Sequence, residues 1–236
     1  MTDIPWLRSE SLAFPPVETA LREPDGLLAA GGDLSVARLK LAYQLGIFPW
    51  FEEGQPILWW SPDPRSVIFP NQFKPGRSLS RILRKNKFSV RRDTAFNDVI
   101  DACSDPRVYS HGTWITSDMK DAYKELHRQG IAHSVECYLD SELVGGLYGV
   151  GLGKLFFGES MFHRVSDASK VAFAFLVRLM DRNHCPLIDC QIPNDHLDSL
   201  GAKTISRREL AGYLQNFVTV TDPIEWTSLP TVLSPW

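Results

Sequence analysis

The spacing of apolar and polar positions changes several times along this chain. From Val36 to Leu45 apolar residues recur at helical spacing behind Asp33 and Ser35, residue types that cap helix N-termini. The sequence then turns aromatic through Phe48-Pro49-Trp50-Phe51 and Trp59-Trp60, and stiffens at Ser61-Pro62-Asp63-Pro64, which the prolines exclude from helix. A boundary is expected there, between a small unit at 1–62 and a larger one at 63–236. Beyond it, His133 to Leu139, Leu143 to Val150 and Lys154 to Phe157 alternate as strands, separated by Asp140-Ser141 and Gly151 to Gly153, and predict an antiparallel meander. Ala168 to Met180 is apolar almost all round and reads as a buried helix capped by Ser166 or Asp167. Leu187 to Gln191 reads as a short buried strand and Arg207 to Phe217 as a last helix.

One helix stands out by its charge. Leu79, Ile82 and Leu83 share one face, with Arg77, Arg81, Arg84 and Lys85 opposite and Ser78 as a candidate cap. Between Lys74 and Arg92 there are eight basic residues and no acidic one. A solvated face is the plain alternative, but such faces usually carry carboxylate partners four residues away, so the stripe points to phosphate binding.

Composition adds bounds more than direction. With 236 residues, 44% of them apolar and 22% charged, the chain can bury an ordinary globular core, and a net charge of −3 exerts no overall pull on nucleic acid. Met1 to Glu10 lacks the apolar centre of a signal peptide, and Val171 to Val177 is far shorter than the roughly 20 residues that span a bilayer, so a cytoplasmic protein without membrane contact is expected. Cys103, Cys137, Cys185 and Cys190 form no CxxC pair and read as free thiols. His184, Cys185, Cys190 and His196 fit no common zinc spacing, so no metal is expected.

In Ile188-Asp189-Cys190-Gln191, strand alternation puts Asp189 and Gln191 on one face and Cys190 on the other. A buried carboxylate and amide side by side must line a cleft or meet a fixed partner. Glu159 follows the apolar Phe156-Phe157 and Gly158, and Trp114 sits beside a Gly112-Thr113 turn, where it could stack on a base or join the core. Gly-Lys-Ser/Thr phosphate loops, GxSxG and HExxH are missing. These residues alone reach an α/β protein with a basic helix and paired polar groups on a strand, and do not reach a reaction.

Taken together, Leu21-Arg22-Glu23-Pro24, Gly31-Gly32-Asp33-Leu34-Ser35, Gly46-Ile47-Phe48-Pro49-Trp50-Phe51, Trp59-Trp60-Ser61-Pro62-Asp63-Pro64-Arg65, Gly112-Thr113-Trp114-Ile115-Thr116, Gly158-Glu159-Ser160-Met161-Phe162 and Ile188-Asp189-Cys190-Gln191 resemble the bacterial leucyl/phenylalanyl-tRNA-protein transferase family, over nearly the whole chain. The resemblance implies an α/β (α+β) fold with a small N-terminal domain and a GNAT-type acyltransferase domain, built on a mainly antiparallel sheet. It also implies aminoacyl-tRNA as donor of Leu or Phe, acceptor proteins beginning with Arg or Lys, and no cofactor; a monomer is the default, since no coiled-coil heptads appear. Residue by residue, Trp50 and Trp114 match aromatics around the terminal adenosine, and Arg77, Arg81, Arg84 and Lys85 match contacts to the tRNA backbone. Asp189, Gln191 and Glu159 match the polar residues of the reacting centre, with Asp189 expected to meet the acceptor amine. Leu147, Leu176, Met180 and Ile188 match the aminoacyl pocket.

Overall fold

The structure is a computed structural model and describes residues 4–105 and 114–234. The Gly112-Thr113 turn lies outside the described residues.

The chain begins with a small sheet made of β1 (Trp6–Leu7), β2 (Leu27–Gly31), β3 (Phe48–Pro49) and β4 (Leu58–Trp60), in the order β1-β2-β4-β3. Helix α1 (Val36–Gln44) connects β2 to β3, and the Ser35 side chain accepts from the Arg38 backbone N–H at 3.3 Å, a cap of the kind whose removal costs about 1 kcal/mol. Leu39, Ala42 and Tyr43 form the buried face of α1, as the helical spacing predicted.

A second, larger sheet follows. Its strands are β5 (Arg65–Ile68), β6 (Ser89–Arg92), β7 (Ala132–Leu139), β8 (Glu142–Leu152), β9 (Leu155–His163), β10 (Ile188–Gln191), β11 (Lys203–Ile205) and β12 (Val232–Leu233). Among the described residues their order is β11-β5-β10-β9-β8-β7-β6-β12, antiparallel throughout except for the parallel pair β9 and β10. The helices are α2 (Arg77–Arg84), α3 (Phe96–Ser104), α4 (Ser117–Arg128), α5 (Ala168–Arg182), α6 (Asp195–Ser199) and α7 (Arg207–Phe217). The mixed α/β class with a mainly antiparallel sheet agrees with the expectation.

Strand alternation sorts the two faces of this sheet. Val67, Tyr148 and Phe157 point into a core shared with α1, α3, α4, α7 and the small sheet, whereas Ile68, Leu147 and Phe156 point into a core built around α5. The small sheet therefore has no core of its own and completes the first core of the large one.

Four local expectations change. Gly76, not Ser78, is the N-cap of α2, and no side chain closes that end. Asp167 stands at the N-cap of α5 with φ of 69° but makes no capping bond there; its carboxylate pairs with Lys170 at 3.3 Å. Helices α3 and α4 were not anticipated, although Phe96, Val99, Ile100 and Cys103 on α3 and Met119, Tyr123 and Leu126 on α4 recur at helical spacing and are buried. The meander is present, but β8 and β9 run longer than the apolar runs, and the added part of β9, Gly158 to Met161, lines the cavity described next.

Candidate active site

The irregularities of the sheet gather at one place. Between β8 and β9, Tyr148 pairs with Ser160 and Gly149 with Gly158, so Glu159 is the extra residue of a β-bulge. Between β5 and β10, Val67 pairs with Asp189 and Ser66 with Gln191, so Cys190 is the extra residue of a second bulge. Bulges re-aim side chains and break pairing beside functional sites. Gly149 permits the first one, since a Cβ there would stand 2.2 Å from the Phe157 carbonyl oxygen. Gln191 adopts φ of 65°, the left-handed region, at the second. The parallel pairing of β9 and β10 covers Phe156 with Ile188 and Phe157 with Asp189, and beyond it a cavity of about 430 Å³ opens.

The second bulge overturns the alternation predicted for this strand. Asp189 and Gln191 face consecutive residues of β5 and so project to opposite sides, while Cys190 and Gln191 both reach the cavity. Asp189 is fully buried and does not line it. Its carboxylate takes a two-pronged pair from Arg65, Nε to Oδ1 at 2.8 Å and Nη2 to Oδ2 at 2.7 Å, and its Oδ1 accepts the Gln191 backbone N–H at 2.9 Å. The expectation that Asp189 turns toward an acceptor amine is corrected accordingly: its oxygens are occupied by a buried cation and a backbone amide. Arg65 also donates from Nη1 to the Gly46 carbonyl at 3.1 Å and lies 4.9 Å from the Phe48 ring centre, so it ties β10 to the small sheet. Arg65 stands in the sequence only as the last residue of the Trp59 to Arg65 run, with no role given; its signal was the ordinary need of a buried Asp for a cation.

Glu159, partly exposed to the cavity, has different company. The Tyr43 hydroxyl donates to its Oε1 at 2.8 Å, the Gln191 side-chain amide to the same oxygen at 2.8 Å, and the Tyr123 hydroxyl to Oε2 at 2.9 Å. The two tyrosine hydroxyls also touch each other. Burial pushes the Glu159 carboxyl up to about 7, and nearby Asp189 adds a smaller upward push, against the bonds from Tyr43, Tyr123 and Gln191. Burial first, and then the Glu159 charge, holds the hydroxyls of Tyr43 and Tyr123 well above the ordinary tyrosine value, so both keep their protons. Tyr43 stands in the sequence as an ordinary apolar position of α1, and Tyr123 lies on α4, which was not anticipated, so neither was singled out.

The remaining walls are apolar or aromatic. Leu147, Leu176 and Ile188 line the cavity with Phe173, and Trp50 and Trp114 stand at it as well. Trp50, 40% exposed, rests against Trp60 with ring centres 5.4 Å apart, and its carbonyl accepts the Trp60 indole N–H at 2.7 Å. Tyr148 also lines the cavity, and its buried hydroxyl has no partner among the described residues. Met180 does not reach the cavity; it lies four residues past Leu176 on α5 and is fully buried in the core. Burial pushes the Cys190 thiol far up, so it is no thiolate nucleophile. Arg77, Arg81, Arg84 and Lys85 are exposed on α2, apart from the cavity lining, and none has an ion-pair partner among the described residues. The described residues hold no cluster of His, Cys, Asp and Glu suited to a metal.

The profile of the leucyl/phenylalanyl-tRNA protein transferases matches residues 67–215, and that of their N-terminal domain matches residues 32–63. The chain belongs to this family. A leucyl/phenylalanyl-tRNA–protein transferase of Pseudomonas putida is 57% identical over 94% of this chain and 99% of its own length. Relatives of the same name from Pseudomonas syringae pv. tomato and Azotobacter vinelandii are 59% and 54% identical, over 89% and 93% of this chain and 91% and 97% of theirs. Among solved structures, L-PGS from Bacillus licheniformis aligns at a TM-score of 0.46 with 8% identity, over 82% of this chain and 73% of that one. Among the described residues no helix is long and apolar enough to cross a membrane.

Proposed function

We propose that this chain is an aminoacyltransferase that moves Leu or Phe, and less readily Met, from charged tRNA to the α-amine of proteins beginning with Arg or Lys. The new N-terminal residue is a degradation signal, and the enzyme works as a cytoplasmic monomer in which a unit at 1–62 precedes the transfer unit at 63–236. Membership of the family carries the reading. The cavity supports it, because an apolar wall of Leu147, Leu176 and Ile188 suits a Leu or Phe side chain beside the polar pair Glu159 and Gln191. Trp50 and Trp114 offer faces on which a terminal adenine stacks, for about 1–3 kcal/mol per base. Arg77, Arg81, Arg84 and Lys85 present free cations to phosphates, which supply affinity blind to sequence.

The ester between amino acid and tRNA is already activated, so aminolysis needs no ATP. A protein N-terminus, with an ordinary pKa of about 8, supplies the nucleophile once its extra proton has left. Glu159 and Gln191 meet the reacting groups, and Asp189 acts through Gln191, whose backbone it holds. The purified protein, mixed with Leu-tRNA and a peptide beginning with Arg, is expected to make labelled leucine peptide-bound. Label that remains on tRNA would leave a plain tRNA-binding protein, and transfer from acyl-CoA instead would make the chain a small-molecule acyltransferase.

A further inference from the structure

Three oxygens meet beside the cavity: one belongs to Tyr43 on α1, one to Tyr123 on α4, and the third corner is the Glu159 carboxyl on β9. Each corner touches both others, so there are three contacts to fill with protons. When Glu159 is ionised only two protons are present. Each hydroxyl then donates to the carboxylate, and the contact between Tyr43 and Tyr123 is left as two oxygens facing each other with no proton between. One more proton completes the set in a single direction. Because Gln191 and Tyr43 both donate to Oε1, the added proton sits on Oε2 and is donated to Tyr123, Tyr123 donates to Tyr43, and Tyr43 donates back to Oε1.

We propose that Glu159, Tyr43 and Tyr123 form a proton-storing ring that takes up and returns the proton released by the acceptor amine during aminolysis. The second half of this statement rests on the aminoacyl-transfer reading; the ring itself does not. In the reaction the amine nitrogen attacks the ester carbonyl carbon and the C–N bond forms. The nitrogen's surplus proton passes to the Glu159 carboxylate and closes the ring. The C–O bond then breaks with its electron pair on the ribose oxygen, which takes a proton back from the ring, so an amine and an ester become an amide and a free hydroxyl with no net proton consumed.

The groups facing Glu159 come from α1, α4, β5, β8 and β10, and His196 on α6 is a second titratable side chain at the cavity, which the carboxyl infrared band does not report. Tyr43 and Tyr123 keep their protons, Tyr148 on β8 is likewise held well above the ordinary tyrosine value by burial, and Cys190 on β10 stays a thiol. Asp189 on β10 is matched by Arg65 on β5. Tyr43 and Tyr123 are thus positioning residues, since they act through Glu159, and the cavity contains no other described carboxyl.

The ring makes a prediction of sign. If the hydroxyls merely stabilised the carboxylate, removing one would raise the Glu159 pKa. In the ring, Tyr43→Phe removes two neutral hydrogen bonds from the protonated state and one charge-assisted bond, about as strong as the two, from the ionised state, whose repulsive unfilled contact it also removes, so relief of that repulsion makes the pKa fall. Tyr123→Phe acts in the same direction. Difference infrared spectroscopy of the protonated carboxyl C=O stretch reads this on the full chain, with the band assigned by its loss in Glu159→Gln. The parent midpoint is expected near the value of about 7, and lower in both tyrosine variants. A midpoint that rises or stays in place in whichever variant folds would overturn the ring. The rate of leucine transfer to an Arg-initiated peptide, followed against pH, reads its use: an acid limb that moves down with the infrared midpoint supports proton uptake by the ring, and a limb indifferent to Tyr43→Phe removes it from the reaction. A parent protein that binds Leu-tRNA without transferring leucine would instead fault the functional reading, while the infrared result still decides the ring.

Discussion

Asp189 and Glu159 stand on two neighbouring parallel strands, β10 and β9, and their surroundings divide the work of a carboxyl between them. Asp189 has a buried guanidinium on both oxygens and no access to the cavity. Glu159 has no cation among its described partners, only three neutral donors, and opens on the cavity. A carboxylate locked to Arg65 gives geometric order and little scope for proton exchange, whereas one held by hydroxyls near neutrality can change its charge state as chemistry proceeds. One residue is built to stay as it is and the other to change.

The sharpest way to break that contrast is Glu159→Gln, which keeps the shape and removes the proton acceptor. The transfer rate is expected to fall about 10²–10⁴-fold, measured as kcat with saturating Leu-tRNA. The fold responds in the opposite sense. The Glu159 pKa is raised in the folded protein, from an ordinary 4.5 to about 7. The stability this supplies is full below 4.5 and lost as pH rises through 7. Above that the parent buries a charge that the neutral amide of the variant does not carry, so the variant's melting temperature should exceed the parent's at about pH 8 and the gap should close toward about pH 5. A gap that widens on acidification would reverse the assignment.

Arg65→Met tests the other half. It strands the Asp189 charge, and loss of one partner of a buried pair costs about 3–5 kcal/mol, read by urea unfolding. Adding Asp189→Asn should recover part of the loss; equal destabilisation by the single and double variants would mean that the pairing is not what Arg65 supplies.

Between the two carboxyls lies the apolar wall. Leu147→Ala widens it, and a change of a few methylenes should alter the ratio of transfer from Leu-tRNA and Phe-tRNA by about 10–200-fold in favour of Phe. An unchanged ratio would place the donor side chain elsewhere. The smallest effect is expected farthest from the pair: Arg84→Ala with Lys85→Ala should weaken every accepted tRNA alike and lower the slope of log affinity against log salt by about one per residue. Parental affinity and slope would take α2 out of RNA binding.

Much of this architecture was readable from spacing. Val36 to Leu45 and Arg207 to Phe217 follow the helical period because one side of each is buried, Ala168 to Met180 is apolar almost all round because nearly all of it is buried, and Ser206 closes α7 with a capping box to Glu209. Glu159, Gln191, Trp50 and Trp114 were named from the sequence and do meet at one cavity. The facing of Asp189 was not readable, because alternation holds only while strands pair one to one, and the bulge at Cys190 removes one count. Arg65, Tyr43 and Tyr123 stand 124, 116 and 36 residues from their carboxyl partners, distances over which a single sequence carries no pairing signal.

The hold of Arg65 on both Asp189 and the Gly46 carbonyl makes the small sheet part of the latch on the reacting centre. The Gln191 amide, bonded to that same carboxylate, is then a reporter of cooperativity: its hydrogen should exchange with solvent only when the two sheets part, at the rate of the whole chain's opening.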